Sequence, residues 1–392
     1  MKLAVMGIGN AGGKIVDELL QYEYETDRSL ITSALAINSA RVDLERLERL
    51  PRENRFLIGQ TDERVKGHGV GSDPDLGAEI TRKDQYEIDR ALDQVSIYQT
   101  DAFLVIAGLG GGTGSGGAPV VASELRDRYQ TPVYGLAVLP SDSEGGRASL
   151  NAARSFRSFT NGTDNLLLFD NGAWRASQDS LKASYERTNR EIAKRIITVL
   201  SAGEFDDETV SENAMDSSDI HRTLSTGGVS TIAYAESELK SKAQRGLLGR
   251  FQSNGVTPDD NSSDPAMKVN GLIRQAVNSR LTCPAEINTA ERSLIVITGP
   301  PSSFSRKGLE AGRQWLEQQT ASAEVLAGDN PRERAETLSA TIVLSNVTDI
   351  PRIEALQRQA VDAQENIEKQ QSTREDDISA LITDEEDKLD PL

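Results

Sequence analysis

Eight consecutive residues, Gly110-Gly111-Gly112-Thr113-Gly114-Ser115-Gly116-Gly117, limit what this chain can fold into more than any other stretch. They follow the apolar run Phe103-Leu104-Val105-Ile106-Ala107-Gly108-Leu109 and precede Ala118-Pro119-Val120-Val121-Ala122-Ser123-Glu124-Leu125-Arg126. A buried strand, a glycine-rich turn and a helix form the order in which backbone N–H groups can wrap an anion. The helix N-terminus then lends its partial positive charge. Thr113 and Ser115 add hydroxyl donors without bulk. A flexible linker shares the composition but does not sit between an apolar strand and a helix. The stretch predicts a site for a phosphorylated ligand.

The flanking pattern predicts an α/β fold with a Rossmann-like parallel sheet. Apolar strands are expected at 3–7, 32–38, 55–59, 103–108, 132–138 and 165–170. Helices are expected between them, at 12–22, 42–50, 76–95, after the glycine run, and at 146–159. Apolar strands alternating with helices are what a parallel sheet covered on both faces requires. A long central helix is predicted over 178–200. Its stripe comprises Leu181, Tyr185, Ile192, Ile196, Val199 and Leu200, with Asn189 as the polar member. An acidic loop at 204–219 follows. Then comes a smaller α+β C-terminal domain, with strands at 228–236, 293–299 and 340–347 and helices at 270–281 and 305–319. Residues 250–265 read as a surface loop, 354–371 as a helix and 372–392 as a disordered acidic tail. The domain division is 1–175, 176–203 for the central helix, 204–354, and 355–392.

Charge narrows the partners. The chain carries 61 Asp and Glu against 43 Lys and Arg, a formal charge of −18, which excludes a nucleic-acid backbone or an anionic membrane surface as the main partner. Only 12 of the 43 basic residues are lysine. Acid excess with few lysines points to a protein kept soluble in high salt. One cysteine, Cys283, cannot form an internal disulfide, and no apolar run is long enough to insert in a membrane, so the cytoplasm is expected, with the cell cortex as one place within it. Cys283, His68 and His221 are too few and scattered for a zinc site.

Four loops of phosphate- or sugar-binding character fall after strands, where ligands of doubly wound sheets sit. They are Gly7-Ile8-Gly9-Asn10-Ala11-Gly12-Gly13, Asn38-Ser39-Ala40, Gly67-His68-Gly69-Val70-Gly71-Ser72-Asp73-Pro74, and the run at 110. The first satisfies G-x-G-x-x-G, so a dinucleotide oxidoreductase with Asp27 as ribose partner is one reading. That reading leaves three further loops unexplained and offers no hydride-site constellation. Several such loops suit a nucleotide with two or three phosphates.

Gly110–Gly116, GGGTGSG, resembles the glycine-rich phosphate loop of the tubulin/FtsZ superfamily, and the order of the other loops matches over about residues 2–347. Within it the chain is most similar to the CetZ group of halophilic archaea. The resemblance implies a GTP-binding domain over 1–175, with Gly9, Asn10, Ala11 and Gly110, Gly111, Gly112, Thr113, Gly114 and Ser115 on the phosphates. It places Gly69, Gly71, Ser72 and Asp73 in a γ-phosphate-sensing loop, Glu144 on the ribose, and Arg147 near it, one residue short of the FtsZ spacing. Asn171 resembles the tubulin asparagine that reads guanine, and Tyr185 and Asn189 the aromatic and amide of the core helix. An i,i+4 pair lies on one helix face, so the ring can stack on the base while the amide bonds its edge.

Asp216 and Asp219 keep the spacing of the two family aspartates, while Asn213 stands one residue farther from Asp216 than the pattern expects. These carboxylates lie past the far end of a helix of about 23 residues, roughly 35 Å long, out of reach of nucleotide held by the same chain. The family resemblance implies head-to-tail stacking, so that the aspartates of one subunit, in the GTPase-activating domain 204–354, meet the γ-phosphate of the next, with Mg²⁺ on the phosphates. The expected function is a GTP-hydrolysing cytoskeletal protein that forms filaments controlling cell shape or motility, with adaptors binding the C-terminal tail. A non-polymerising guanine-nucleotide binder and a cell-division protein of FtsZ type are the alternatives.

Overall fold

A computed structural model describes residues 1–174, 181–202, 215–239 and 264–382. The first half runs β1 (Leu3–Ile8), α1 (Gly9–Glu25), β2 (Ile31–Asn38), α2 (Arg41–Glu45), β3 (Arg55–Leu57), α3 (Pro74–Lys83), α4 (Gln85–Leu92), β4 (Ala102–Gly108), α5 (Thr113–Arg128), β5 (Val133–Leu139), α6 (Gly146–Gly162), β6 (Asn165–Asp170) and α7 (Asn171–Trp174). Then follow α8 (Leu181–Leu200), α9 (Ser217–Leu224), β7 (Val229–Glu238), α10 (Pro265–Val277), β8 (Arg292–Gly299), α11 (Arg306–Gln319), β9 (Glu324–Pro331), β10 (Thr337–Ser345) and α12 (Pro351–Ile382).

The strands join in one sheet of order β3-β2-β1-β4-β5-β6-β7-β10-β8-β9. From β3 to β6 all pairings are parallel, as the alternating sequence pattern requires. The second half is mixed: β10 is antiparallel to both β7 and β8, and β8 is parallel to β9. The halves meet where β7 pairs parallel with β6 at Leu166↔Val229 and Leu167↔Ser230, so the smaller α+β unit continues the first sheet.

Strand alternation divides the apolar residues between two layers. Along β4, Phe103, Val105 and Ala107 enter the layer under α3, α5 and α6, while Ala102, Leu104 and Ile106 enter the layer under α1 and α8. Helix α8 buries Ile192, Ala193, Ile196, Ile197, Val199 and Leu200 in one apolar cluster with Leu136 and Phe169 of the first half and Ile232 and Val343 of the second. Each such Ile, Val or Leu contributes about 1.5–3 kcal/mol on burial. The helix is thereby the shared wall of two domains.

Several expectations need correction. The helix expected at 76–95 is two helices, broken at Asp84, whose carboxylate accepts from the Gly59 N–H. The helix expected at 42–50 stops at Glu45, because the Asp17 carboxylate accepts from the N–H groups of Glu48, Arg49 and Leu50 and holds that segment out of helical shape. Strand β9 was absent from the pattern, since its Asp329-Asn330-Pro331 end reads as a turn; the edge of a sheet tolerates that proline. The tail expected to be disordered from 372 is helical through Ile382, with the remainder outside the described residues. Of the acidic loop, only Met215–Asp219 is described, and Asp216 already caps α9; Asn213 lies outside, as does almost all of the 250–265 loop.

Candidate nucleotide site

The carboxyl ends of β1, β2, β4 and β5 open into a cavity of about 520 Å³, within the range of small-molecule sites. Gly9, Asn10 and Ala11 line it from the start of α1, Gly69, Gly71 and Ser72 from the loop before α3, and Gly110 to Gly114 from the start of α5. Two helix N-termini therefore face one space, which favours an anion there.

Glycine is required where these loops meet. A Cβ on Gly114 would lie 2.6 Å from the Gly108 carbonyl oxygen, closer than packed atoms allow. On Gly111 it would meet nothing within 4 Å, so its backbone borders open cavity. Side chains then set the loop geometry. The Ser39 and Thr113 hydroxyls pair at 2.7 Å, joining the β2 loop to the α5 start. Buried Asn151 of α6 donates through Nδ2 to the Ser72 carbonyl (2.9 Å) and the Gly110 carbonyl (3.1 Å), tying two further loops together. These ties hold the cradle in place without occupying its N–H groups.

The opposite wall carries Glu144, Asn171, Tyr185 and Asn189. Glu144 Oε1 accepts from the Ser141 N–H at 2.8 Å and lies 3.5 Å from Asn171 Nδ2. Asn171 begins the short helix α7 directly after β6, where buried Asp170 accepts from the Gly172 N–H at 3.0 Å. Burial pushes the Asp170 carboxyl above its ordinary value, and Arg352 beside it pulls the other way. Tyr185 and Asn189, half-buried and one turn apart, present a ring and an amide from α8 to the same space.

Three expected site residues do not line this cavity. Ser115 is buried on the other side of α5, its hydroxyl donating to the Leu109 carbonyl at 2.5 Å. Two residues along a helix turn about 200°, so the side chains of Thr113 and Ser115 face different sides of α5. Asp73 is the N-cap of α3, accepting from the N–H groups of Asp75 and Leu76. Arg147 is exposed on the first turn of α6. The cavity also takes in Lys14, Asp43 and Pro140, which the sequence reading did not single out. Lys14 was findable, since it stands one turn after Asn10 on α1.

Asp216 and Asp219 stand elsewhere. They form a reciprocal cap on α9: Asp216 Oδ1 accepts from the N–H groups of Ser218 (2.8 Å) and Asp219 (3.2 Å), and Asp219 Oδ2 accepts from the Asp216 N–H (3.2 Å). The Ser218 hydroxyl, at 2.5 Å, holds the Asp216 carboxyl below the usual carboxylate range, so it is ionised at neutral pH. From Tyr185 to the end of α8 is about 22 Å of helix, and α9 packs on α8 and β8 with its His221 ring 2.9 Å from the Tyr134 hydroxyl at the start of β5, the end of that strand opposite the cavity. Neither aspartate lines the cavity.

Residues 2–179 match the tubulin/FtsZ family GTPase domain, and residues 178–362 match the C-terminal domain of tubulin-like CetZ. The tubulin-like protein CetZ1 of Haloferax volcanii is 48% identical over 374 residues, covering 94% of each chain. Among solved structures, CetZ1 from Haloferax volcanii as a GDP-bound monomer aligns at 45% identity with a TM-score of 0.81, over 93% of this chain and 100% of that one. CetZ2 from the same organism, as a GTPγS-bound protofilament, aligns at 35% identity and a TM-score of 0.81, over 94% and 100%. Fold and site thus define a tubulin-like GTPase domain carrying its own C-terminal domain. The chain belongs to the CetZ family of tubulin-like proteins.

Proposed function

We propose that this protein binds GTP in the cavity, hydrolyses it only where two copies stack head to tail, and so builds filaments. The observation that carries the reading is the separation along α8 between the cavity and Asp216 and Asp219. A single chain holds a place for the nucleotide and a pair of carboxylates, but at opposite ends of one helix. A contact that joins these two different ends does not close on itself and propagates as a filament. CetZ2 in its GTPγS-bound protofilament shares this fold and supports the reading.

In this scheme the backbone N–H groups of the Gly9 and Gly110 loops hold phosphate oxygens. Glu144 accepts from the ribose, the Tyr185 ring stacks on the base, and Asn171 and Asn189 bond its edge. The neighbouring subunit's Asp216 and Asp219, fixed by their cap, orient the attacking water and draw its proton. Mg²⁺ would accompany the nucleotide, held chiefly by substrate phosphates and water. Bound there, it would neutralise charge developing on the phosphates.

One observation favours a second reading. Each carboxylate puts one oxygen into the cap of α9, Asp216 Oδ1 and Asp219 Oδ2, so the pair could serve structure alone in a guanine-nucleotide binder that does not polymerise. Electron microscopy and sedimentation in high salt with GTP, GDP and no nucleotide separate the two. Filaments with GTP are expected; monomers under all three conditions would sink the assembly reading. A role in cell shape or motility, action at the cell cortex and adaptor binding by the residues after α12 complete the proposal. Among the described residues no helix is long and apolar enough to cross a membrane.

A further inference from the structure

We propose that Arg352, on the C-terminal helix α12, is a positioning residue for the ribose and base end of the cavity. The inference rests on the reading of that cavity as a guanine-nucleotide site. Arg352 does not line the cavity, yet it joins two of the segments that do. Its Nε donates to Asp170 Oδ1 at 3.2 Å, its Nη2 to the Pro140 carbonyl at 2.5 Å, and its Nη1 lies 3.1 Å from Asp142 Oδ1. The Arg352 side chain is 10% exposed and that of Asp170 4%, so this bond is shielded from water, while Asp142 reaches the guanidinium from the solvent side with 75% of its side chain exposed.

Each bond leads to a ligand-facing group. Asp170 Oδ1 also accepts from Gly172, fixing the turn that carries Asn171. Pro140 lines the cavity itself, and the next residue, Ser141, donates to Glu144 Oε1 from both its N–H (2.8 Å) and its hydroxyl (3.2 Å). Asn171 and Glu144 thus take their places from backbone on either side of one guanidinium. A planar fork can serve three acceptors in fixed directions, which a point charge cannot.

The helix bearing Arg352 is itself docked on the same loop. Two turns along, Gln359 Nε2 donates to Asp142 Oδ1 at 3.0 Å and its Oε1 accepts from the Ser149 hydroxyl at 3.2 Å. Ala363 lies so close to Gly146 that a Cβ there would be 2.8 Å from its own. Docking of α12 and shaping of the ribose-base wall are therefore one event. Linkage makes this reciprocal: nucleotide that needs the shaped wall also favours docked α12.

The test measures calorimetric affinity for GDP, 2′-deoxy-GDP and inosine diphosphate in full-length wild type, Arg352→Lys and Arg352→Gln, with thermal unfolding of nucleotide-free protein alongside. Arg352→Gln is expected to weaken GDP binding about tenfold. It should also shrink the preference for GDP over the other two nucleotides, with lysine falling between. Wild-type affinity in Arg352→Gln, or a loss equal for all three nucleotides, would overturn the proposal. If that variant does not fold, Asp142→Asn with Gln359→Ala decides: about threefold weaker GDP binding with a narrowed preference supports it, and an unchanged profile overturns it. A wild-type protein that binds none of the three would instead refute the nucleotide site itself.

Discussion

The two ends of α8 differ in what a single chain can finish. At one end, half-buried Tyr185 and Asn189 face a cavity whose loops are locked by Ser39, Thr113 and Asn151 before any ligand arrives. At the other, Asp216 and Asp219 sit at an exposed helix start with their carboxylates bonded only to their own turn. The first region is a finished binding site. The second is a pair of carboxylates that, among the described residues, bond only within their own turn. The difference teaches that binding and hydrolysis should be separable by mutation, because no side chain described here belongs to both.

The comparison breaks most severely at the cradle. Gly114→Ala would force a methyl to 2.6 Å from the Gly108 oxygen, an overpacking cost of about 1–3 kcal/mol, and would displace the phosphate loop. A lowered unfolding midpoint together with loss of calorimetric GTP binding is expected; a variant binding GTP normally would mean the loop is not the phosphate cradle. Next in size is Asp216→Asn, which keeps a good N-cap but removes the charge. Turnover should fall about 100-fold or more with GTP affinity and folding unchanged. Undiminished turnover would leave the cap as that residue's whole role.

Asn189→Ala probes the finished end more gently. It should weaken GTP about tenfold and erode selectivity over ATP, without altering turnover at saturating nucleotide. A fall in saturated turnover with selectivity intact would contradict its place at the base. The smallest and broadest effect concerns the whole acidic surface. With a formal charge of −18, transfer from molar salt to dilute buffer should reduce helical content as carboxylate repulsion loses its screening. A circular-dichroism spectrum that does not change on desalting would argue for an ordinary acidic protein.

Most of the parallel half was legible because its signal is local. Six apolar runs, each followed by a turn and a helical pattern, leave few alternatives, and glycine loops at strand ends mark a ligand face. What escaped was tertiary. Asn151 looks like any helix asparagine until two loops are folded against it, and Arg352 lies 182 residues from its Asp170 partner. The Ser115 hydroxyl turns to the Leu109 carbonyl, a direction that helical rotation away from Thr113 sets once α5 is known to begin at Thr113. Asp73 carried a readable cue: an Asp before a proline is a helix start, and capping occupies its carboxylate. Strand β9 and the length of α12 were missed because edge strands and polar helices lack the apolar periodicity on which the reading relies.

The central claim is that the hydrolytic site exists only between copies. GTP turnover per mole of protein, measured across concentrations from far below to well above the onset of sedimentable filaments, tests it directly. The account predicts near-zero specific activity in dilute protein and a steep rise to a plateau once filaments form. A specific activity constant across that range would contradict it.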